Sequence, residues 1–155
     1  MGSILEKFKP RADITKREFH LRSFTWGLPC SIGGLLIAIG MLLTGHRPHR
    51  FGCCIQFEAG RNWGGGSVGI FMFTCKGASY RLKAHEHGHS IQNAFYGPLM
   101  PIIVSIPSTL RYWFRRIIQK IFPKIKLSPY DSAWFEGQAT RLGMEFLAVN
   151  RKKSL

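Results

Sequence analysis

Residues 83–92 read Lys-Ala-His-Glu-His-Gly-His-Ser-Ile-Gln, and this stretch decides how the rest of the chain is interpreted. It contains the pattern H-E-x-x-H, formed by His85, Glu86 and His89. On a helix, side chains four positions apart lie about 40° from each other, so both imidazoles can bind one metal ion. The Glu86 carboxylate can reach a water on that metal and act as a general base. The stretch therefore predicts a helical metal site with catalytic chemistry. Gly88, between the ligands, would let another backbone or a substrate approach closely.

A third ligand is expected on a second helix downstream. Catalytic zinc usually takes three protein ligands, and two histidines with one glutamate are a known set. Glu136 lies within Trp-Phe-Glu-Gly-Gln-Ala at 134–139, in a chain with only 8 acidic residues against 22 basic ones. The sequence thus predicts one Zn²⁺ ion held by the two histidines and Glu136. The alternatives to Glu136 are Glu58 and Glu145.

These motifs carry a family resemblance. His85-Glu86-x-x-His89 followed by Glu136-x-x-Ala139 resembles the gluzincin metallopeptidases, whose third ligand is the glutamate of an E-x-x-A-D helix. Three segments more closely resemble a group of small uncharacterised bacterial membrane proteins: 62–65, 85–93 and 129–140. That resemblance covers roughly residues 50 to 145. The first resemblance implies a zinc peptidase, whereas the second implies only that the motifs occur together.

Position 140 departs from the wider pattern, because Thr140 stands where the gluzincins have aspartate. The carboxylate that orients a ligand histidine is therefore missing or comes from elsewhere. Asp131 is a candidate substitute, and Thr140 itself is the other group expected behind the ligands. Asp131 has an alternative role, since Ser128 to Asp131 forms a helix-start signal for a helix continuing through Leu147.

Composition favours a membrane protein. The chain has 155 residues, enough for one domain, and a formal charge of +14. Such charge suggests nucleic acid or anionic lipid as a partner. A mean hydropathy of −0.02 in so basic a chain means that apolar residues are concentrated in blocks, which favours lipid. No RNA-binding signature or zinc-finger spacing is present, so nucleic acid is not the expected partner.

The largest apolar block lies near the N-terminus. After a basic segment, 1–22, the run from Phe24 to Thr44 contains no charged residue. About 21 helical residues span roughly 30 Å, the thickness of a hydrocarbon core. The expectation is a transmembrane helix over 23–45, followed by a zincin-like, membrane-associated domain over 46–155. A cleavable signal peptide is the alternative, but its n-region would be unusually long. The protein is expected in the bacterial cell membrane, and basic residues on both flanks leave the side of the site open.

Two apolar segments before the metal helix read as strands, 51–58 and 67–75. The glycine-rich stretch between them lacks a following Gly-Lys-Ser/Thr, so it predicts a hairpin turn and not a phosphate-binding loop. The second strand would be an edge strand that pairs with an extended substrate. The alternative is a structural hairpin that covers the helix. The proposed substrate-binding residues are Ser67, Val68, Gly69, Ile70 and Phe71.

The region between the two ligand-bearing helices has membrane-interface character. Residues 99–110 are apolar but broken by Pro101 and Pro107, which fits a re-entrant or interfacial segment. The following segment is predicted to be an amphipathic helix on anionic headgroups, with an arginine-rich RNA-binding helix as the alternative. Its apolar positions are Leu110, Trp113, Phe114, Ile117, Ile118 and Ile121, and its bases are Arg111, Arg115, Arg116 and Lys120. Tyr112 is a candidate donor to the reaction's oxyanion, with Tyr96 and Tyr130 as alternatives.

The expected architecture is an α+β, mainly helical membrane protein. Its parts are an N-terminal transmembrane helix, a short β-hairpin, a zincin-like H-E-x-x-H helix, an interfacial amphipathic helix and a C-terminal ligand-bearing helix. The expected function is a membrane-bound, zinc-dependent metallopeptidase that hydrolyses peptide or protein substrates through a zinc-activated water. The alternatives are a non-catalytic metal-binding membrane protein and a basic adaptor for anionic lipid or nucleic acid.

Overall fold

The computed structural model describes residues 9–152 as a mixed α+β fold, as the sequence predicts. The helices are α1 (Lys16–Phe24), α2 (Leu28–Leu43), α3 (Tyr80–Tyr96), α4 (Ile106–Ile121) and α5 (Trp134–Lys152). The strands are β1 (Pro48–Phe51), β2 (Cys54–Glu58), β3 (Gly65–Val68) and β4 (Phe71–Thr74). Residues 1–8 of the predicted basic segment lie outside the described part of the chain.

Helix α3 carries the H-E-x-x-H stretch. Ser79 caps its start, because its side chain accepts a hydrogen bond from the Leu82 amide at 3.2 Å. Gly97 ends it with φ of 55°, a conformation that favours glycine. The middle histidine, His87, faces away from the ligand pair and is fully buried; its Nε2 accepts from the Cys53 amide at 3.1 Å. One face of α3 therefore packs in the core, and the opposite face carries His85 and His89.

The sheet differs from the predicted hairpin. Its strand order is β1-β2-β4-β3, with β1–β2 and β3–β4 antiparallel and β2–β4 parallel. The segments predicted as hairpin partners are therefore the parallel neighbours β2 and β4. The prediction was wrong because the glycine-rich stretch, which has low strand propensity, supplies part of β3 itself. β3 then turns back through Gly69 and Ile70 into β4.

The prediction of an N-terminal transmembrane helix was wrong. Within residues 9–152 no one helix combines the length and the apolar character needed to cross a bilayer; only α1 and α2 taken together do, and they are bent by 89°. The helical structure is interrupted at residues 25–27, and Pro29 lies in the first turn of α2. Helix α2 therefore has only 16 residues. At 1.5 Å per residue it is about 24 Å long. Its small residues pack against the sheet, where Gly34 meets the Val68 carbonyl and the Phe71 ring.

The connection from α3 to α4 consists of two short helical segments. A 3₁₀ turn (Gly97–Leu99) and a π-helical turn (Pro101–Ser105) lead into α4. Each segment has a proline in its first turn, where the missing N–H is tolerated. The predicted helix start at Ser128 was wrong. Tyr130–Ser132 forms a separate 3₁₀ turn, Ala133 is extended with ψ of 135°, and α5 begins at Trp134.

Helices α3 and α5 cross at a contact made by small residues. A Cβ on Gly88 would overlap the Ala139 carbonyl, and a Cβ on Gly143 would overlap the Ala84 carbonyl. Both alanines are fully buried. The expectation that Gly88 permits close backbone approach is therefore met, and the approaching backbone is that of α5.

We expect Gly143→Ala and Gly88→Ala each to destabilise the protein by about 3 kcal/mol, the upper range for overpacked cores, because a backbone carbonyl cannot swing aside. Urea unfolding followed by circular dichroism measures the change. The matched control is Gly40→Ala, since a Cβ there meets nothing within 4 Å and alanine favours helix. Equal stability of all three variants would contradict the close crossing.

Candidate metal centre

Three ligand atoms from α3 and α5 converge at one point. The two imidazole Nε2 atoms of His85 and His89 are 3.1 Å apart. The Glu136 Oε2 atom lies 3.1 Å from the first and 3.2 Å from the second. Glu136 is fully buried, and both histidines are nearly so. This group could hold a metal ion.

The spacing of the three atoms fits a small cation with tetrahedral coordination. With zinc–nitrogen bonds of about 2.0–2.1 Å, adjacent ligand atoms of a tetrahedron lie about 3.3 Å apart. The three observed separations fall within 0.2 Å of that value. The second carboxylate oxygen, Glu136 Oε1, is buried without a hydrogen-bond partner. Electron-rich atoms this close repel one another unless a cation or a proton lies between them, so the donor set fits a metal.

The orientation of His89 is fixed by Gln92, one turn further along α3. The Gln92 amide nitrogen donates to the Phe135 carbonyl at 2.8 Å and to Gln138 Oε1 at 2.8 Å. Because a carbonyl can only accept, the Gln92 oxygen must be the atom facing His89 Nδ1, also at 2.8 Å. Nδ1 therefore carries a proton, and Nε2 is the nitrogen that faces the site, where it can bind a metal once it is unprotonated. The sequence offered a signal for this role, the i, i+3 spacing from His89.

The other histidine is oriented by Thr140. Its hydroxyl lies 2.8 Å from His85 Nδ1, so the neutral hydroxyl stands where the gluzincin pattern has a carboxylate. Asp131 does not take this place. Its Oδ2 accepts a hydrogen bond from Arg81 Nη2 at 2.7 Å. Of the two residues predicted behind the ligands, the structure brings Thr140 to the site and engages Asp131 in an ion pair at the cleft rim.

The alternative third ligands lie elsewhere. Glu58 Oε1 accepts from Lys83 Nζ at 3.0 Å and from Gln56 Nε2 at 3.2 Å, which uses the carboxylate in the sheet. Glu145 is exposed on α5. Glu136 is therefore the acid that completes the cluster in the described part of the chain.

The charges of the cluster stabilise one another. Burial alone would raise the pKa of Glu136, but hydrogen bonds from His85 and His89 outweigh it and hold that pKa well below its usual range. Burial lowers the pKa of His89, but the Glu136 hydrogen bond and the nearby carboxylates outweigh it, so the net shift is upward. The carboxylate is thus ionised and ready to bind a cation.

Glu86 lies beside the cluster and is not one of its ligands. Its side chain is buried, and Oε2 has no hydrogen-bond partner. Burial raises the pKa of Glu86 despite the opposing effect of the two histidines. The carboxylate packs beneath β3, where a Cβ on Gly65 would lie 2.8 Å from Glu86 Oε1. Glycine at this position leaves the carboxylate room between strand and helix.

A cleft of about 860 Å³ opens over the cluster and Glu86. Its walls come from β3, α3, α4 and the Tyr130–Ser132 turn. β3 is an edge strand, and two of the proposed substrate-binding residues, Ser67 and Val68, line the cleft. The other three residues of the predicted substrate strand do not. Gly69 and Ile70 form the turn, and Phe71 is buried in β4 between β2 and β3. The prediction extended the strand past its turn.

The predicted oxyanion donor, Tyr112, lies on the cleft wall with its hydroxyl engaged. It accepts from Arg116 Nη1 at 2.7 Å and lies 3.5 Å from the Trp63 carbonyl. Tyr130 is the tyrosine next to the cluster, with its ring centroid 6.3 Å from that of His85. Burial, reinforced by the Glu136 charge and opposed by a hydrogen bond with Ser108, raises the pKa of Tyr130 to about 12. Its hydroxyl thus stays protonated at neutral pH and can donate.

Comparisons with known proteins return nothing for this chain: no protein-family model, no curated protein and no solved structure matches it. The assignment of a function therefore rests on the residues of the chain and their geometry.

We expect Glu136→Ala to weaken Zn²⁺ binding by more than about 100-fold, because it removes one of three donors. This loss is larger than that expected for a residue that only orients a ligand by a hydrogen bond. Titration against a competing chelator measures the affinity. Glu145→Ala removes an exposed acid from the same helix and should bind like the parent chain. A site that kept its affinity without Glu136 would have a different third ligand.

We expect Thr140→Val to lower Zn²⁺ affinity by about 10- to 100-fold, because valine has the shape of threonine but cannot hydrogen-bond His85. Thr140→Ser keeps the hydroxyl and should retain most of the affinity. The same competition titration serves, with thermal unfolding as a check on the fold. Equal affinities for the valine and serine variants would show that Thr140 only packs.

Proposed function

We propose that the protein is a zinc-dependent metallopeptidase whose site is the cluster His85, His89 and Glu136 with Glu86 beside it. The observation that carries this proposal is the three-donor cluster at the floor of an open cleft. Structural zinc sites are closed by four protein ligands, whereas catalytic sites take three and leave a position open. Within residues 9–152 the cluster has three candidate ligands, which favours catalysis over the alternative of a non-catalytic metal-binding protein.

Zinc is the metal that the donors favour. Two imidazole nitrogens and one carboxylate oxygen form a ligand set typical of catalytic zinc, and the separations of 3.1–3.2 Å match a tetrahedral site. When bound, zinc supplies Lewis acidity, which polarises a carbonyl group and lowers the pKa of water. The resemblance to gluzincins on the same four residues supports this choice.

Glu86 is proposed as the proton carrier. Its Oε2 has no hydrogen-bond partner and is buried, so it is free to accept a proton from the attacking water. Burial raises its pKa, which makes it a stronger base than an exposed carboxylate. The same carboxyl then returns the proton to the leaving amine. Proton uptake and release by one group leave its net charge unchanged over the cycle.

Two further features of the cleft suit a peptide. β3 is an edge strand, whose outer main-chain groups can pair with an extended segment, and Ser67 and Val68 face the cleft. Tyr130 is proposed to donate to the oxygen that gains negative charge when the carbonyl is attacked. Tyr112 contributes to the wall, since its hydroxyl is already engaged. Peptide or protein is therefore the proposed substrate class.

We expect Glu86→Gln to keep bound zinc and lose about 10²- to 10⁴-fold in hydrolysis, the usual contribution of a general base. Elemental analysis of the purified protein measures the metal, and a fluorescence-quenched peptide library measures cleavage. Glu145→Gln is the control for loss of one acidic charge at an exposed position.

Three results would count against the peptidase. An active Glu86→Gln variant would remove the proposed base. Hydrolysis by Glu136→Ala at the parent rate would place the activity outside the cluster. Stoichiometric zinc without cleavage of any library member would favour the non-catalytic alternative.

A further inference from the structure

Helix α4 presents an apolar stripe that the rest of the described chain leaves uncovered. Positions 110, 113, 114, 117 and 121 fall within about 100° of the helix circumference. Phe114 is 62 % exposed and Trp113 56 %, and α4 contributes no buried side chain within residues 9–152. The apolar surface continues past the helix end through Phe122 and Ile125. A stripe of this size on one helix indicates an interaction surface.

The same segment carries unopposed positive charge. Residues 87–130 contain no aspartate or glutamate. The bases on and after α4 are Arg111, Arg115, Arg116, Lys120, Lys124 and Lys126. None of them forms an ion pair in the part of the chain that the structure describes. The arginines instead donate to neutral oxygens, such as the Ser128 carbonyl at 2.7 Å from Arg115 Nη1.

We propose that α4 and residues 122–126 dock on the surface of a bilayer that contains anionic lipids. An apolar stripe bordered by bases lets aromatic and aliphatic side chains enter the acyl boundary while lysines and arginines contact phosphate groups. A second copy of this chain would bring like charges together. Nucleic acid would neutralise the charges but leave Phe114 and Ile117 in water. A bilayer surface satisfies both features.

Docking by α4 would also place the cleft at the membrane surface. The side of α4 away from most of the stripe supplies Ser108, Tyr112 and Arg116 to the cleft wall, and Trp113, at the edge of the stripe, also lines the cleft. One helix therefore borders both the lipid and the site. Resting on the proposed peptidase function, this arrangement names its substrate class: peptide segments held close to an anionic membrane surface.

The test is flotation of the full-length chain with two kinds of vesicle, phosphatidylcholine alone and phosphatidylcholine mixed with phosphatidylglycerol. We expect about tenfold or stronger preference for the anionic vesicles, and loss of that preference in high salt. Lys120, Lys124 and Lys126 are exposed, and none makes a hydrogen bond or ion pair within residues 9–152. Their triple replacement by glutamine should abolish the preference.

The apolar contribution is tested by Phe114→Asp and Ile117→Asp, each expected to weaken binding by about tenfold. The matched controls are Met144→Asp and Val149→Asp, which place the same charge at exposed apolar positions on α5. Circular dichroism confirms that each variant is folded. Equal loss in stripe and control variants would overturn the proposal, as would equal binding to both kinds of vesicle.

Two further arms separate this proposal from its competitors and from the peptidase. If the chain bound an RNA oligonucleotide but no vesicles, the partner of α4 would be nucleic acid and the lipid proposal would be overturned. Glu136→Ala should bind anionic vesicles like the parent chain, so a failed peptidase leaves the lipid result intact. If both proposals hold, a peptide anchored on anionic vesicles is cleaved faster than the same peptide free in solution, and Phe114→Asp removes that advantage alone.

Discussion

The close crossing of α3 and α5 is the constraint on which the candidate metal centre depends. Ligand distances in a metal site must match within about 0.2 Å. The two histidines come from one helix and the carboxylate from the other, so the separation of the helices sets the geometry. Gly88 lies between the ligand histidines, and Gly143 lies two turns beyond Glu136. Any side chain at either position would widen the crossing by more than the ligand distances allow.

A buried carboxylate in this cluster has an energetic consequence for the fold. Removing an ion from water without a partner costs several kcal/mol. Glu136 is fully buried, and its compensation comes from His85 and His89. The nearby Glu86 carboxylate adds a second negative group to the same volume. A divalent cation would offset both charges, so metal binding at this site would be coupled to the stability of the α3–α5 pair.

The sequence predicted those features that depend on local chemistry. The helical H-E-x-x-H stretch and the convergence of its two histidines with one acid on a second helix follow from residue types and spacing. The failures concern partners distant in sequence. Asp131 binds Arg81, which is remote along the chain, and glycines that read as a turn form β3, which pairs with β4. The uncharged run before residue 45 reads as one span, yet a bend at residues 25–27, near its start, leaves a helix of only 16 residues. Composition does not reveal the bend between α1 and α2, because the position of the bend depends on how the two helices pack in the folded chain.

The walls of the cleft differ in how firmly they are held. α3 is buried along most of its length between the sheet and α5, and β3 is hydrogen-bonded to β4. α4, by contrast, contributes no buried side chain in the described part of the chain, and its arginines fasten it to the Ser128–Ser132 segment by hydrogen bonds to neutral oxygens. Elements with few buried apolar contacts open at the lowest free energy. Because α4 borders the cleft, the surface that covers its apolar stripe would also set how readily the cleft widens to admit a chain. In the proposed function, substrate access and surface attachment would therefore both involve α4, whereas the ligand geometry depends on α3 and α5.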